Sequence, residues 1–139
     1  MNVSIVYAST TGNTQAMAEA INSAISAAGA SVTLTTADSA DKDAVLASDV
    51  ILLGSPAMGD EVLEDSVEAF FTQIEGSLKG KKVGIFGSYD WGDGQWLRDW
   101  DDRLNSLGAV RAGEPLMVHL TPEAADIDNC TSWAKAVIS

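Results

Sequence analysis

A parallel α/β sheet with helices on both faces is the fold this chain predicts, and three observations predict it. Apolar runs alternate with stretches of helical periodicity along all 139 residues. Several runs are continuous Val/Ile/Leu stretches, as in Val50-Ile-Leu-Leu53 and Val83-Gly-Ile-Phe86, which suit strands covered on both sides. Three segments that leave strands, Ser9–Thr14, Ser55–Glu61 and Ser88–Gly94, are rich in Gly, Ser, Thr and Asp. In open sheets of this kind ligands bind beyond the carboxyl ends of the strands, where the strand order reverses.

The elements follow in order. A first strand is expected over 2–8. The helix after it steps Met17, Ile21, Ile25, with Ala20, Ala24 and Ala28 beside them and Gly29 to end it. A second strand covers 31–36. A short, weak helix over 41–48 has Asp41 as its N-cap. The third strand, 49–54, leads to a helix carrying Leu63, Val67, Phe70, Phe71 and Ile74. The fourth, 82–88, leads to one carrying Leu97, Trp100, Leu104 and Leu107, stopped by Gly108. The spacing of Trp96 and Trp100 assigns both to packing. An uninterrupted fifth strand is expected over 112–119, with Pro115 near its start, a placement proline tolerates best on a sheet edge. Cys130, Trp133, Ala134 and Val137 mark the last helix. Right-handed crossovers complete a single domain over 1–139.

Composition narrows the function classes. Hydrophobic residues make up 46% of the chain, enough for a core, yet no apolar run approaches the roughly 18–20 residues of a spanning helix. The N-terminus lacks a basic stretch followed by an apolar one, and the one cysteine, Cys130, has no partner for an internal disulfide. A cytoplasmic protein is the expectation. Eight Lys and Arg face twenty Asp and Glu, a net charge of −12 that repels nucleic acid and anionic membranes and attracts partners with basic patches.

The first loop, Ser9-Thr-Thr-Gly-Asn-Thr14, packs four hydroxyls, one amide and one glycine into a strand-to-helix turn. Unpaired backbone N–H groups at a helix start, with short hydroxyl donors added, make a phosphate cradle. It contains no Lys or Arg, so it holds a phosphate without neutralising it. In the second loop, Ser55-Pro-Ala-Met-Gly-Asp-Glu61, Gly59 allows close backbone approach and Met58 offers a polarisable face to a ring. Glu61 either reaches polar atoms of that ring or caps the next helix. The third loop, Gly87-Ser-Tyr-Asp-Trp-Gly-Asp-Gly94, reads as too glycine-rich for a strand, with Tyr89 and Trp91 held at its tip to stack on something.

These three loops, in this order and at these distances, resemble a flavodoxin of the short-chain kind, and the match runs the whole chain. Two departures are Asp90, where such relatives often have Gly, and Ala8, where some carry Trp. The resemblance implies a flavodoxin-like three-layer sandwich with a five-stranded parallel sheet in order 2-1-3-4-5 and FMN at the switch point. It implies that Ser9, Thr10, Thr11, Gly12, Asn13 and Thr14 hold the FMN phosphate. Met58 and Trp91 would lie against opposite faces of the isoalloxazine. The Gly59–Asp60 peptide would turn over on one-electron reduction to accept a bond from flavin N5–H, stabilising the neutral semiquinone. Glu61 would bond the ring N3, and Asp60 and Asp93 would lie near the pyrimidine side. Pro56, Ala57, Ser88, Tyr89, Asp90 and Gly92 complete the expected cofactor-binding set; neither metal ligands nor catalytic residues are expected. The implied function is a low-potential one-electron carrier, not an enzyme: a monomer passing electrons between redox proteins that dock by basic patches on its acidic rim.

Charge supports the low potential independently, because none of the eight cationic residues falls in the three loops, whereas Asp60, Glu61, Asp90 and Asp93 do. A carboxylate about 10 Å from the ring, at an effective dielectric of roughly 40–80, opposes added negative charge by about 0.4–0.8 kcal/mol. That is roughly 20–35 mV for one electron, and several such groups reach on the order of 100 mV before screening. Rival folds lack their chemistry here. The first loop has neither the Cys nor the Arg of a phosphatase of similar topology, and no P-loop lysine. Gly54-Ser55 stands where a receiver domain needs an aspartate, and no Gly-x-Gly-x-x-Gly follows the first strand. A quinone reductase on this fold needs room over the ring that Trp91 would occupy, and a flavin-storage module predicts no stabilised semiquinone. His119, at the end of the fifth strand, is read as a partly exposed structural residue rather than a flavin contact.

Overall fold

The computed structural model describes residues 1–59 and 61–139. In chain order the elements are β1 (Asn2–Tyr7), α1 (Asn13–Ala27), β2 (Ser31–Thr36), α2 (Lys42–Leu46), β3 (Val50–Gly54) and α3 (Asp65–Ile74). A short 3-10 turn, Glu75–Ser77, leads to β4 (Lys82–Tyr89), α4 (Gln95–Ser106), β5 (Val110–Arg111), β6 (Leu116–His119) and α5 (Ala124–Val137). All strands pair in parallel, in the order β2-β1-β3-β4-β5, with β6 also against β4. The chain therefore steps from β1 to β2 on one side and then crosses to β3 on the other, which opens the switch point between β1 and β3.

Strand periodicity sorts the core into two layers. Val3, Ile5, Val50, Leu52 and Phe86 face α1 and α5, meeting Met17, Ile21, Ile25, Cys130 and Ala134. Their neighbours Val6, Ile51, Leu53, Val83 and Ile85 face the other way, onto Val67, Phe71, Trp96, Leu97 and Trp100 of α3 and α4. Because β3 is buried along its whole length, it needs the continuous Val50-Ile-Leu-Leu53 run. Helix ends fall where the chain punctuates them. Asp41 accepts from the Asp43 amide to start α2, and Gly29 and Gly108 follow α1 and α4 at φ 93° and 80°. α5 begins with a reciprocal pair between Glu123 and Asp126.

The uninterrupted fifth strand expected over 112–119 is instead two strands in line, and the break has a local cause. A side chain at Gly113 would press on Val137 and Trp133, so helix α5 lies too close for regular pleating there. The Trp133 indole N–H donates to the Glu114 carbonyl at 2.7 Å, and Pro115 has no N–H to give the ladder. The chain leaves β4 after Ala112, whose amide still bonds Val83, and rejoins it at Leu116.

A second correction concerns the third loop. β4 runs one residue past the expected 82–88, so Tyr89 ends the strand and packs on Trp96 rather than standing at a loop tip. Gly87 belongs in that strand because any Cβ would run into the Ser55 carbonyl oxygen and the Trp96 ring.

Candidate functional site

Strand ladders run past the strand ends and place the loops beside one another. The Ala8 amide donates to Gly54 at 3.2 Å, Ser55 to Phe86 at 3.1 Å, Ala57 to Ser88 at 2.9 Å, and Leu120 to Tyr89 at 2.8 Å. Each loop at the carboxyl edge therefore starts in register with its neighbour.

The first loop turns at Gly12, whose φ of 90° is left-handed and whose missing Cβ faces open space. Gly12 is the N-cap of α1 but supplies no side chain, so Ser9 does: its Oγ accepts from the Gly12 amide at 3.0 Å and the Gln15 amide at 3.2 Å. Asn13 and Thr14, at the first two helical positions, have no intrahelical acceptor for their N–H groups. Thr10, Thr11 and Gly12 are exposed and Ser9 and Asn13 partly so. Thr14 differs. It is fully buried, and its hydroxyl lies 2.7 Å from that of Ser88, so these two expected site residues tie the first loop to the end of β4.

The second loop closes on itself. Met58 and Val62 exchange two backbone bonds of 2.9 Å, making a short antiparallel bridge around the turn. Gly59 has φ 48° and open space at its Cβ position, and Glu61 takes a left-handed φ of 56°. Asp60, and with it the Gly59–Asp60 peptide, lies outside the described residues. The strained Glu61 is held by its carboxylate, which accepts from the Gly94 and Gln95 amides at 3.0 Å each. Glu61 thus caps a helix, but it is α4 and not the next one; Glu64 caps α3, accepting from Ser66 and Val67. The Glu61 side chain fills the space where Gly92 has no Cβ. Pro56 is buried beneath the turn, while Ala57 and Met58 are half-buried.

In the third loop Trp91 is 61% exposed, so it does not fold back over the sheet end. Asp90, Gly92 and Asp93 are exposed around it, and Asp90 has no left-handed φ, so a residue with a side chain suits that turn. Arg98 of α4 reaches back to Asp93, donating to its backbone carbonyl at 2.9 Å and its carboxylate at 2.8 Å. A cation is thereby brought to a loop that contains none in sequence, and it offsets part of the charge expected from Asp93.

These loops surround a cavity of about 210 Å³ lined by Thr10, Thr11 and Asn13, by Pro56 and Ala57, and by Ser88, Tyr89 and Asp90. Leu120 and Thr121, after β6, form its remaining wall; the sequence reading missed both. The signal for them was faint, since Leu120 holds a left-handed φ of 64° that no glycine advertises. A larger groove of about 450 Å³ runs along β2 and α2, and none of the residues of these three loops lines it. Among the described residues, no group of three or more His, Cys, Asp or Glu is placed to hold a metal ion. The donors fit a phosphate ester bearing a flat ring: amides and hydroxyls at a helix start, a half-buried methionine, and an open indole.

Fold and loops together define an open-sheet α/β protein with a cavity and a phosphate-cradle turn at its switch point. Comparison with known proteins narrows that class. The family model described as Flavodoxin matches residues 5–133. The chain is 50% identical over 125 residues to a flavodoxin of Megasphaera elsdenii, covering 89% of this chain and 91% of that one. It is 44% identical over 134 residues to a flavodoxin of Clostridium beijerinckii, covering 96% of each. The solution structure of two-electron reduced Megasphaera elsdenii flavodoxin superposes with a TM-score of 0.88 at 48% identity, covering 97% of both chains. The chain belongs to the flavodoxin family, in its short-chain form. It is an electron-transfer flavoprotein with FMN as cofactor and redox proteins as partners, a carrier and not an enzyme. No helix among the described residues is long and apolar enough to cross a membrane.

Proposed function

We propose that this chain works as a single domain, a low-potential one-electron shuttle whose three loops divide the handling of FMN. The observation that carries the reading is a switch-point cavity that has a cation-free helix start in one wall and Asp90 in another, with the exposed indole of Trp91 next along the chain from Asp90. The Thr10 and Thr11 hydroxyls and the Asn13 amide would take the phosphate around the open turn at Gly12, with Ser9, which accepts the Gly12 amide, and Thr14 shaping that turn. Met58 and Trp91 would take the two faces of the ring. FMN supplies one-electron redox chemistry when bound; the protein sets how readily each electron is accepted.

Glu61 has oxygen lone pairs to spare beyond its two bonds to α4, so it can also accept from a ring N–H. Gly59 is the residue with freedom to present its carbonyl to the reduced ring, because a left-handed φ costs glycine little. The acidic rim, Asp60, Glu61, Glu64, Asp65, Asp90 and Asp93, would oppose the second electron and receive partners with basic patches. The Arg98 pairing leaves Asp93 a smaller share of that opposition than its sequence position implies. We further infer a monomer in the cytoplasm, consistent with the solitary buried Cys130, whose thiol burial pushes up to about 11 and so keeps protonated.

An anaerobic reductive titration of the FMN-loaded protein tests the reading. Two separated one-electron steps, the second at the lower potential, are expected. Gly59→Ala should bind oxidised FMN within about threefold of the parent and merge the two steps. Steps equally far apart in both proteins would remove Gly59 from the mechanism.

A further inference from the structure

We propose that His119 is a positioning residue of the flavin site, clamping the Asp90 carbonyl so that Trp91 is presented from a fixed point. The inference rests on the FMN reading above and deepens it, because it assigns the order of the third loop to a residue outside all three loops.

Tyr89 and His119 stand opposite each other in the β4–β6 ladder, so their side chains leave the sheet on the same face. The imidazole stacks on the Tyr89 ring at 4.8 Å between centroids and 27° between planes. Tyr89 in turn packs on Trp96 at 5.6 Å, and the buried Trp96 indole donates to the Ser55 carbonyl at 3.1 Å. The row of rings therefore runs from the end of β6 to the base of the second loop, and it fixes the plane of the imidazole.

With that plane fixed, His119 Nε2 sits 2.7 Å from the Asp90 carbonyl oxygen. A carbonyl only accepts, so Nε2 carries the hydrogen and donates it. The next residue adds a parallel bond, from the Leu120 amide to the Tyr89 carbonyl at 2.8 Å. β4 ends at Tyr89, so the His119 bond carries order one residue past the strand. Among the described residues the next hydrogen bonds along the loop are at Asp93 and Gly94, made by Arg98 and Glu61. Trp91 and Gly92 therefore span between two anchors, and His119 supplies the one on the strand side.

Two variants separate the bond from the stack. His119→Phe keeps a flat ring against Tyr89 and has no N–H; His119→Gln gives up the ring and keeps an N–H donor. FMN affinity is measured by flavin fluorescence titration, and amide exchange over residues 89–92 is measured in each protein without added FMN. His119→Phe should weaken FMN binding about three- to tenfold and speed exchange by a similar factor, the worth of one hydrogen bond. His119→Gln should stay within about twofold of the parent in both. A His119→Phe protein that matches the parent overturns the clamp, and so does a His119→Gln protein as impaired as His119→Phe, which would assign the effect to stacking. If the parent itself fails to bind FMN, the functional reading falls, while the exchange contrast between the variants still decides the clamp.

Discussion

The first and third loops serve one ligand site but are built on opposite plans. The first is local: Ser9 accepts from Gly12 and Gln15 within six residues, and its tip, Thr10 to Gly12, is exposed. The third is assembled from afar. Glu61 reaches Gly94 across 33 positions, and His119 reaches Asp90 across 29. A phosphate needs only backbone amides in a fixed turn, which a short segment makes by itself. A ring platform needs a surface held at a set place and angle, and a loop rich in glycine cannot hold one without outside support. The contrast teaches that the exposed tip of the cradle is shaped within its own segment, with Thr14 tying its base to β4, whereas the platform is held by residues from distant parts of the chain.

Three substitutions would break or sharpen that contrast. The largest effect belongs to Gly87→Ala, at the root of the third loop. Its Cβ would collide with the Ser55 carbonyl and the Trp96 ring, so unfolding in urea should show a loss of about 2–4 kcal/mol. A loss under about 0.5 kcal/mol would mean that the platform is not held by this packing. An intermediate effect separates a local bond of the first loop from its long-range tie to β4. Thr14→Val leaves the buried Ser88 hydroxyl without its partner and should cost about 1–2 kcal/mol, whereas Ser9→Ala, at an exposed cap, should cost about 0.5–1 kcal/mol. The reverse order, read from the same urea curves, would make the local cap more demanding than the long-range tie.

The smallest effect is expected away from both loops. Hydrogen bonds from Arg103 hold the Glu68 carboxyl below its ordinary range, against the opposing pull of burial. Its folded value is depressed, so its contribution is present above the ordinary carboxylate range and is lost as the pH falls through the folded value. Glu68 is 45% exposed, and solvent screening keeps that contribution small. Glu68→Gln should therefore flatten the acid side of a stability–pH curve slightly while leaving FMN affinity unchanged.

What the sequence made legible follows the same division. The cradle could be read because Ser9, Gly12 and the helix start are adjacent, and the layers could be read because Met17, Ile21 and Ile25, or Val50 to Leu53, carry their period openly. Helix packing of Trp96 and Trp100 was legible for that reason too, and both are fully buried. The break between β5 and β6 was not, because its cause is Trp133, a residue of another element that captures the Glu114 carbonyl. Glu61 looked like a cap for the helix that follows it, but its partners lie on α4, brought near only by the sheet order. Arg98 was absent from every loop in sequence and present at Asp93 in space, since side chains in the first turn of a helix lean toward its N-terminus, where Asp93 lies.

The uneven burial of the indoles has a practical consequence. Trp96 and Trp100 are sealed in the interior, whereas Trp91, next along the chain from Asp90 of the cavity wall, stands open to solvent. A small collisional quencher dissolved in the buffer should reach Trp91 first, and a ligand seated over that ring should shield it. The protein thus contains its own optical gauge of occupancy, readable without a label.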